Sequence, residues 1–579
     1  MPKVVIIGGG IAGLSAAHIL CKYPEFDIYI YESESDIGGQ ARSMFGKFCY
    51  IEYSWRVFGN CYHNINKIIN EIGADDNFKL LTHPCIIDTD NIEQGDLSPY
   101  NLGKIILKNW DVELINKVLN IFTISRERAI NDYQDINAYE YFKKNKIIQS
   151  ILGPFLGLDA NKVSLSGYYN NILSVFDTNK YYFTPKNTRI TKNPTQESFF
   201  VPWVNYLKNR GVKIYTTSTL NNININNGII ESVVINNKVI KGDEYIFSLS
   251  LKNLNKIISQ QSYFSNKQVK QDLQKLEHGL QLYYTLNLYF SIELENNIKL
   301  KCDELVLVDT PWKLIIQRKC AWSQKFINNC KKENTEIKDI FNVGFLDYNK
   351  GELFGKILND CSREEAIQEG IHQFKNSKYI KELINKHNTT FDNIFVAYED
   401  WYEFHNNNEG KLVSSNPKYS INTGLMKHMP TNQPHDVPNN MFLSGYYVKS
   451  TMGGVSMEAS CETGLNAGLS IIKKHNHTVI ESPYEHVVEG TQLTIGLSYL
   501  DKLLYKMNWN PLYTYIPSLL LVAIYIIFCI SSVVIVVTFI LYKLKFNNKF
   551  VKNKKRNITK RLYVKLLLLI LLFFLFFVR

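Results

Sequence analysis

The chain opens with VVIIGGGIAG at residues 4–13, an apolar run that leads directly into a glycine-rich turn. Such a run, followed by a helix-like stretch and a second apolar run, is typical of a dinucleotide-binding strand–helix–strand unit. Gly8 permits the tight turn, Gly10 lets the backbone approach a pyrophosphate, and Gly13 lets the helix pack closely on the strand. Glu32, nineteen residues after Gly13, is placed to accept hydrogen bonds from the adenosine ribose hydroxyls. The diphosphate is expected at the helix N-terminus, which offers unsatisfied N–H groups.

A second glycine pair follows in ESESDIGGQARS at residues 32–43. This pattern of a glutamate, a spacer and GGxxRS resembles the flavin amine oxidase and phytoene desaturase superfamily, whose members bind FAD. The resemblance continues through EYSWRVFGNCY at residues 52–62, which is similar to the desaturase-like and hydroxysqualene-oxidoreductase-like branches. Weaker matches at 199–203 and 308–312 follow in order, and Trp203 and Trp312 in them are expected to be scaffold residues.

The most specific match to the superfamily is MFLSGYYV at residues 441–448, followed by SMEA at 456–459. It resembles the superfamily's C-terminal FAD segment, a strand ending on the flavin and a helix whose N-terminus faces the cofactor. The superfamily usually has an acidic residue where this chain has Tyr446. A phenol offers one hydroxyl where a carboxylate offers two acceptor oxygens, so we expect the hydrogen bonding to the ribityl chain of FAD to differ from that of the superfamily.

The resemblance implies a non-covalently bound FAD and no metal. The residues that it assigns to the cofactor are Gly8, Gly10, Ile11, Ala12, Gly13, Glu32, Gly38, Gly39, Gln40, Ala41, Arg42, Gly445, Tyr446, Ser456 and Met457.

Three side chains are candidates for the catalytic end of the site. Arg56 is the first choice, because its planar fork can hold a polar group or a flavin oxygen. Tyr62 and Tyr447 are candidates for one wall of the site. A structural salt bridge for Arg56 and core packing for the two tyrosines are the alternatives.

The sequence predicts an α/β fold: a Rossmann-type FAD-binding domain, a discontinuous α+β substrate domain and a C-terminal membrane segment. The predicted boundaries are 1–70, 196–280 and 431–475 for the FAD-binding domain, 71–195 and 281–430 for the substrate domain, 476–511 for a linker, and 512–579 for a membrane anchor with a basic stretch.

The ten cysteines are scattered, without CxxC pairs or metal-like spacing. Free thiols in a reducing compartment are therefore the expectation, with disulfides as the alternative. In the linker, Leu497, Leu500 and Leu504 follow a helical spacing. They are predicted to lie along the membrane surface or to pack on the enzyme body, and the sequence does not choose between these.

The net charge of +11 belongs to the tail, because residues 543–579 contain eleven Lys or Arg and no Asp or Glu. The uncharged run from Ile516 to Leu541 is long enough to cross a bilayer, and a shorter apolar run covers Leu566 to Val578. The basic stretch between them would attract anionic headgroups. It has few aromatic residues for base stacking, so a nucleic acid partner is not expected.

The expected location is a membrane, with the FAD domain on the cytoplasmic side. The chain enters its first strand after Met1-Pro2-Lys3, which leaves no room for a signal peptide. Counting positive charges places the basic stretch on the cytoplasmic side, which conflicts with this if there is one complete span. A second spanning or re-entrant segment, or an interfacial tail, would remove the conflict.

The resemblance implies an enzyme, an FAD-dependent oxidoreductase that removes hydride from its substrate and passes the electrons to an outside acceptor. With the membrane tail, the expected substrate is lipophilic, such as an isoprenoid or another lipid. One alternative is a flavin amine oxidase that releases peroxide. The other alternative is a non-catalytic flavoprotein scaffold anchored at a membrane. It is suggested by Tyr446, which stands where the superfamily usually has an acidic residue.

Overall fold

The computed structural model describes residues 1–54, 56–59, 61–81, 84–87, 95–96, 112–142, 161–167, 169, 188–294, 304–319, 322, 324–346, 349–453, 455–484 and 492–511. Contacts between Cα atoms divide the chain into two compact units. The first comprises Met1–Gly103, Gln134–Phe176 and Tyr181–Val487, and the second comprises Lys104–Tyr133, Asp177–Lys180 and Val488–Arg579.

A five-stranded parallel sheet forms the dinucleotide-binding part of the first unit. Its strands, in spatial order, are Met441–Leu443, Glu244–Phe247, Lys3–Ile7, Asp27–Tyr31 and Lys213–Tyr215. All four pairings are parallel, and Ile7 aligns with both Phe247 and Tyr31. Val4 to Ile7 are buried, as expected for a central strand that is covered on both faces. The predicted Rossmann-type α/β architecture is confirmed.

The helix Ile11–Leu20 packs on this sheet and, backbone to backbone, on the helix Met457–Lys474. A Cβ atom on Gly13 would lie 2.0 Å from the carbonyl oxygen of Gly8. A Cβ atom on Gly464 would lie 2.1 Å from the carbonyl oxygen of Ala12. Only glycine fits at these two positions, because real Cβ atoms do not approach a backbone oxygen so closely.

A seven-stranded mixed sheet lies within the range predicted for the substrate domain. Its strands, in spatial order, are Phe395–Asp400, Tyr284–Phe290, Asp339–Phe345, Leu314–Arg318, Glu304–Leu307, Pro84–Ile87 and Gly95–Asp96. Its pairings are antiparallel except for the parallel pair formed by Glu304–Leu307 and Pro84–Ile87. Trp312 is fully buried in its core, which agrees with a scaffold role.

Smaller elements complete the described residues. The short strands are Ser43–Phe45 with Tyr50–Glu52, Phe78–Leu80 with Arg189–Thr191, Leu220–Asn226 with Ile229–Ile235 and Lys238–Ile240, Leu280–Gln281 with Lys418–Tyr419, Lys331–Lys332 with Thr335–Glu336, and Phe404–Asn406 with Leu412–Ser414. The other α-helices of the first unit are His63–Glu71, Ala138–Tyr141, Val201–Asn209, Leu251–Ser259, Gln268–Leu276, Gln324–Ile327, Arg363–Asn376, Lys378–Lys386 and Phe391–Ile394.

In the second unit, the helix Gln492–Lys506 packs against the helices Val112–Thr123 and Arg126–Asn131. The buried Asp501 carboxylate joins them, because it accepts hydrogen bonds from the backbone N–H of Ser125 at 2.8 Å and from Arg128 Nε at 3.1 Å. Leu504 is buried, whereas Leu500 is exposed. Part of the range predicted as a linker is therefore an ordered helix.

The predicted membrane anchor at 512–579, with its two apolar runs, lies outside the described residues. Among the residues that are described, no helix combines the length and the apolar character that a bilayer crossing requires.

The expectation of free thiols is wrong for two cysteines, because Cys49 and Cys330 form a disulfide. They are 281 residues apart in sequence, and the fold brings their Cα atoms to 4.5 Å, so their spacing along the chain gave no sign of the pairing. Cys21, Cys361 and Cys461 are buried free thiols, and Cys61 is also buried.

Candidate active site

A cavity of about 560 Å³ in the first unit brings most of the predicted site residues together. Of the residues predicted to bind the cofactor or to act in catalysis, those that line it are Gly8, Gly10, Ile11, Ala12, Glu32, Gly38, Gly39, Gln40, Ala41, Arg42, Arg56, Tyr62, Gly445, Tyr446, Ser456 and Met457. Gly13 and Tyr447 are not among the lining residues. Gly13 lies under the turn, as its predicted packing role requires, and Tyr447 is fully buried.

The glycine turn leaves open space at one end of this cavity. Gly8 has a φ of +107°, and Gly10 begins the first helix by accepting a hydrogen bond from the backbone N–H of Leu14. A Cβ atom built on Gly10 would meet nothing closer than the Cα atom of Gly39, at 3.7 Å. The space beside Gly10 therefore opens toward the cavity at a helix N-terminus, where a diphosphate is favoured.

Glu32 lies at the end of the second parallel strand and its side chain is fixed by local donors. One carboxylate oxygen accepts from the backbone N–H of Gly9 at 2.6 Å, and the other accepts from the backbone N–H of Glu34 at 3.0 Å and from the Ser33 hydroxyl at 3.1 Å. A carboxylate has about four acceptor positions, so it retains acceptor capacity for a ribose hydroxyl. The turn and Glu32 together fit the adenosine diphosphate part of FAD.

Arg42 was predicted to bind the cofactor, and in the structure its guanidinium also holds protein groups. It donates to the carbonyl of Gly39 at 2.8 Å, contacts the Tyr402 hydroxyl, and lies 3.3 Å from a Glu34 carboxylate oxygen and 3.8 Å from a Glu403 carboxylate oxygen. Arg42 thus connects the second glycine pair to the loop that carries Glu403.

Glu403 lines the same cavity and was missed by the sequence analysis. Burial raises the pKa of its carboxyl to about 7, although the Arg42 charge opposes this shift. Its sequence neighbourhood carries no motif, so only the fold identifies it.

Arg56 contacts the two residues that follow the second glycine pair. Its guanidinium donates to the carbonyl of Gln40 at 2.6 Å and to the carbonyl of Ala41 at 3.3 Å. Its backbone exchanges two hydrogen bonds of 3.0 Å with the Gln317 side-chain amide. Arg56 therefore positions the backbone of Gln40 and Ala41, directly after the glycine pair, while it lines the cavity, and its role in catalysis stays a prediction.

A buried ion pair is linked to Arg56 through the side chain of Gln317. Glu52 pairs with Lys319, and its other oxygen accepts from the Thr195 backbone N–H at 3.0 Å and from the Thr195 hydroxyl. Burial alone raises the pKa of the Glu52 carboxyl, but the Lys319 and Arg56 charges outweigh it and hold that pKa below its usual value. Lys319 also donates to Gln317, so the pair is linked to Arg56.

The Tyr446 hydroxyl accepts a hydrogen bond from the backbone N–H of Leu251 at 3.2 Å. Its ring stacks on Tyr419 with a centroid distance of 5.8 Å. Tyr446 thus lines the cavity, but its hydroxyl already accepts one hydrogen bond from the protein. It therefore has fewer acceptor positions left for a ligand than a carboxylate would have. Tyr447 meets the Tyr446 ring edge-on and stays a prediction as a catalytic residue.

Lys418 also lines the cavity and was missed by the sequence analysis. It lies on the short strand Lys418–Tyr419, and its ammonium nitrogen is 4.8 Å from the centroid of the Tyr283 ring. Burial, assisted by the Arg56 charge, lowers the pKa of this lysine to about 8. A single lysine on a two-residue strand gives no sequence signal.

Comparison with known proteins agrees with this site. Residues 6–72 match the family described as NAD(P)-binding Rossmann-like domain. The zeta-carotene desaturase of Synechocystis sp. is 22% identical over 289 residues, covering 44% of this chain and 59% of the desaturase. The chain thus spans less than two thirds of the length of this curated relative.

Solved structures share the fold. Wild-type putrescine oxidase bound to putrescine aligns with a TM-score of 0.55 at 12% identity, over 82% of this chain and 99% of the oxidase. Cyclohexylamine oxidase from Brevibacterium oxydans aligns with a TM-score of 0.53 at 11% identity, over 82% and 100%. Together with the fingerprint, these likenesses confirm the resemblance to the flavin amine oxidase and phytoene desaturase superfamily and support FAD as the cofactor.

Proposed function

We propose that the chain is a membrane-associated, FAD-dependent oxidoreductase that removes hydride from a lipophilic substrate. The observation that carries this proposal is the single cavity that joins the diphosphate turn to Arg56, Tyr62 and Lys418. The likeness to a zeta-carotene desaturase supports the lipophilic substrate class.

When bound, FAD supplies the two-electron acceptor for a hydride. The chain's own contribution is to bind and orient. The turn at Gly10 would hold the diphosphate and Glu32 would accept from the ribose, while Arg56 fixes the backbone of Gln40 and Ala41 just after the second glycine pair. Tyr62 and Tyr446 line the same cavity.

The cofactor and the reaction are tested on the purified full-length chain in detergent. Acid or heat denaturation is expected to release FAD into the supernatant, because no covalent bond holds it. Anaerobic addition of fractionated membrane lipids is then expected to bleach the flavin absorbance. Recovery of NADP alone, or of no nucleotide from folded protein, would contradict the cofactor proposal. Bleaching by amines instead of lipids, with peroxide release in air, would favour the amine oxidase alternative.

The tail is proposed as the membrane anchor, with the FAD domain on the cytoplasmic side. Burial of the Ile516 to Leu541 run at about 0.8 kcal/mol per CH₂ exceeds what basic residues supply at about 1 kcal/mol each. Salt screens only the second contribution. Membrane association is therefore expected to survive high salt and alkaline carbonate, and to be lost on truncation after Asn510, as measured by sedimentation with vesicles. Release by salt alone would instead identify a peripheral basic patch.

A further inference from the structure

Three cations and three carboxylates line the cavity, and five of these six groups have an oppositely charged or hydrogen-bonding partner among the described residues. Glu32 binds the glycine turn, and Arg42 lies between Glu34 and Glu403. Arg56 donates to two backbone carbonyls. Among the described residues that line the cavity, Lys418 is therefore the charged group without such a partner.

Lys418 has no carboxylate partner among the residues that the structure describes. The interactions that it makes there are with the face of the Tyr283 ring and with the positive charge of Arg56, which repels it. Lys418 is partly buried, so holding its charge without a counter-charge carries a desolvation cost, and its ammonium retains donors that the ring face does not satisfy. Such a group, facing a cavity, is complementary to an oxygen anion.

We infer that Lys418 binds the anionic head, a carboxylate, of an amphiphilic substrate. This inference rests on the proposed function and narrows it, because the substrate becomes a lipophilic acid rather than a hydrocarbon. It also argues against an amine, since an ammonium group at this end would face Lys418 and Arg56 together. Lys418 is a binding and positioning residue that sets the depth at which the apolar chain enters the cavity.

The test compares octanoate, octylamine and octanol, which share one apolar chain and differ in the head group. Each is titrated at pH 6.5 into the full-length holoprotein in detergent, and the flavin absorbance change gives Kd. At this pH both octanoate and Lys418 are charged. Octanoate is expected to bind at least about tenfold more tightly than octylamine, the size of one charge-assisted hydrogen bond.

The variant Lys418→Met is expected to weaken octanoate binding about tenfold and to leave octanol unchanged. Lys418→Arg is expected to retain most of the preference for octanoate. Lys449→Met is the matched control, because Lys449 is exposed and does not line the cavity. The wild-type comparison of octanoate with octylamine stands even if the methionine variant fails to fold.

Equal or tighter binding of octylamine overturns the inference, as does unchanged octanoate affinity in a folded Lys418→Met protein. If the ligand-free flavin spectrum of Lys418→Met shifts while its octanoate affinity stays the same, Lys418 interacts with the flavin and not with the substrate. This result also overturns the inference. If none of the three probes binds, the lipophilic substrate of the proposed function fails with it. Binding of octanol and octylamine but not octanoate leaves the proposed function intact and removes only this inference.

Discussion

Gly10→Val is expected to leave a folded protein that no longer binds FAD. The new side chain has room in the fold, because the nearest atom to a Cβ at this position is 3.7 Å away. That room is the space beside the turn where the diphosphate is expected, so the valine and the cofactor cannot occupy it together. We expect FAD affinity to fall by at least about a hundredfold, since several backbone N–H contacts are lost at once.

The measurement is FAD occupancy after purification and Kd on reconstitution, with circular dichroism to verify the fold. Gly13→Ala provides the contrast. Its Cβ would lie 2.0 Å from the Gly8 carbonyl oxygen, so it is expected to lower the melting temperature rather than to act on binding alone. Gly496→Ala, in open space within a helix, is the control and is expected not to lower the melting temperature. Full flavin occupancy in a folded Gly10→Val protein would show that the diphosphate lies elsewhere.

Lys319→Met is expected to lower the free energy of unfolding by about 3–5 kcal/mol, because it removes the ion-pair partner of the buried Glu52 and leaves only the charge of Arg56 to oppose its desolvation. Glu52 and Lys319 are both buried, so water cannot replace the lost partner. Adding Glu52→Gln to this variant is expected to restore much of the loss, since the amide carbonyl can still accept from Thr195. Thermal unfolding, monitored by fluorescence, measures the stability of the single and the double variant. Lys338→Met is the control, because Lys338 is exposed.

The effect of Lys319→Met has a defined pH dependence. In the wild type, the pKa of Glu52 is lower in the folded state than in the unfolded state. Its stabilisation is therefore present above the unfolded pKa and is lost as the pH falls through the folded pKa. Without Lys319, burial favours the protonated acid, so the gap in stability between the two proteins should narrow toward acidic pH. A gap that widens in acid would contradict the assigned pairing.

The glycine fingerprint could be predicted from the sequence because its parts are neighbours along the chain. Gly8, Gly10 and Gly13 fall within one turn and one helix, and the fold that they require follows from local backbone geometry. The same holds for Ser456, which caps the long helix by accepting from the backbone N–H of Ala459.

Other parts of the site could not be predicted, because they depend on contacts between residues that are distant in sequence. Glu52 and Lys319 are 267 residues apart, and the two cysteines of the disulfide are 281 apart. Lys418 carries no motif and becomes informative only through what surrounds it. Arg42 lines the cavity, where its contacts with Glu34 and Glu403 could not be read from the sequence; its binding of the cofactor stays a prediction.

The close approach of Gly464 to Ala12 has a consequence for biosynthesis. The helix that begins the FAD site packs on a helix near residue 464, and the sheet is finished by the strand Met441–Leu443. At about 5–20 residues per second, a ribosome needs roughly half a minute to a minute and a half to make that length of chain. During this interval the apolar first strand has emerged without its complete covering, so cofactor capture has to follow translation of the whole first unit.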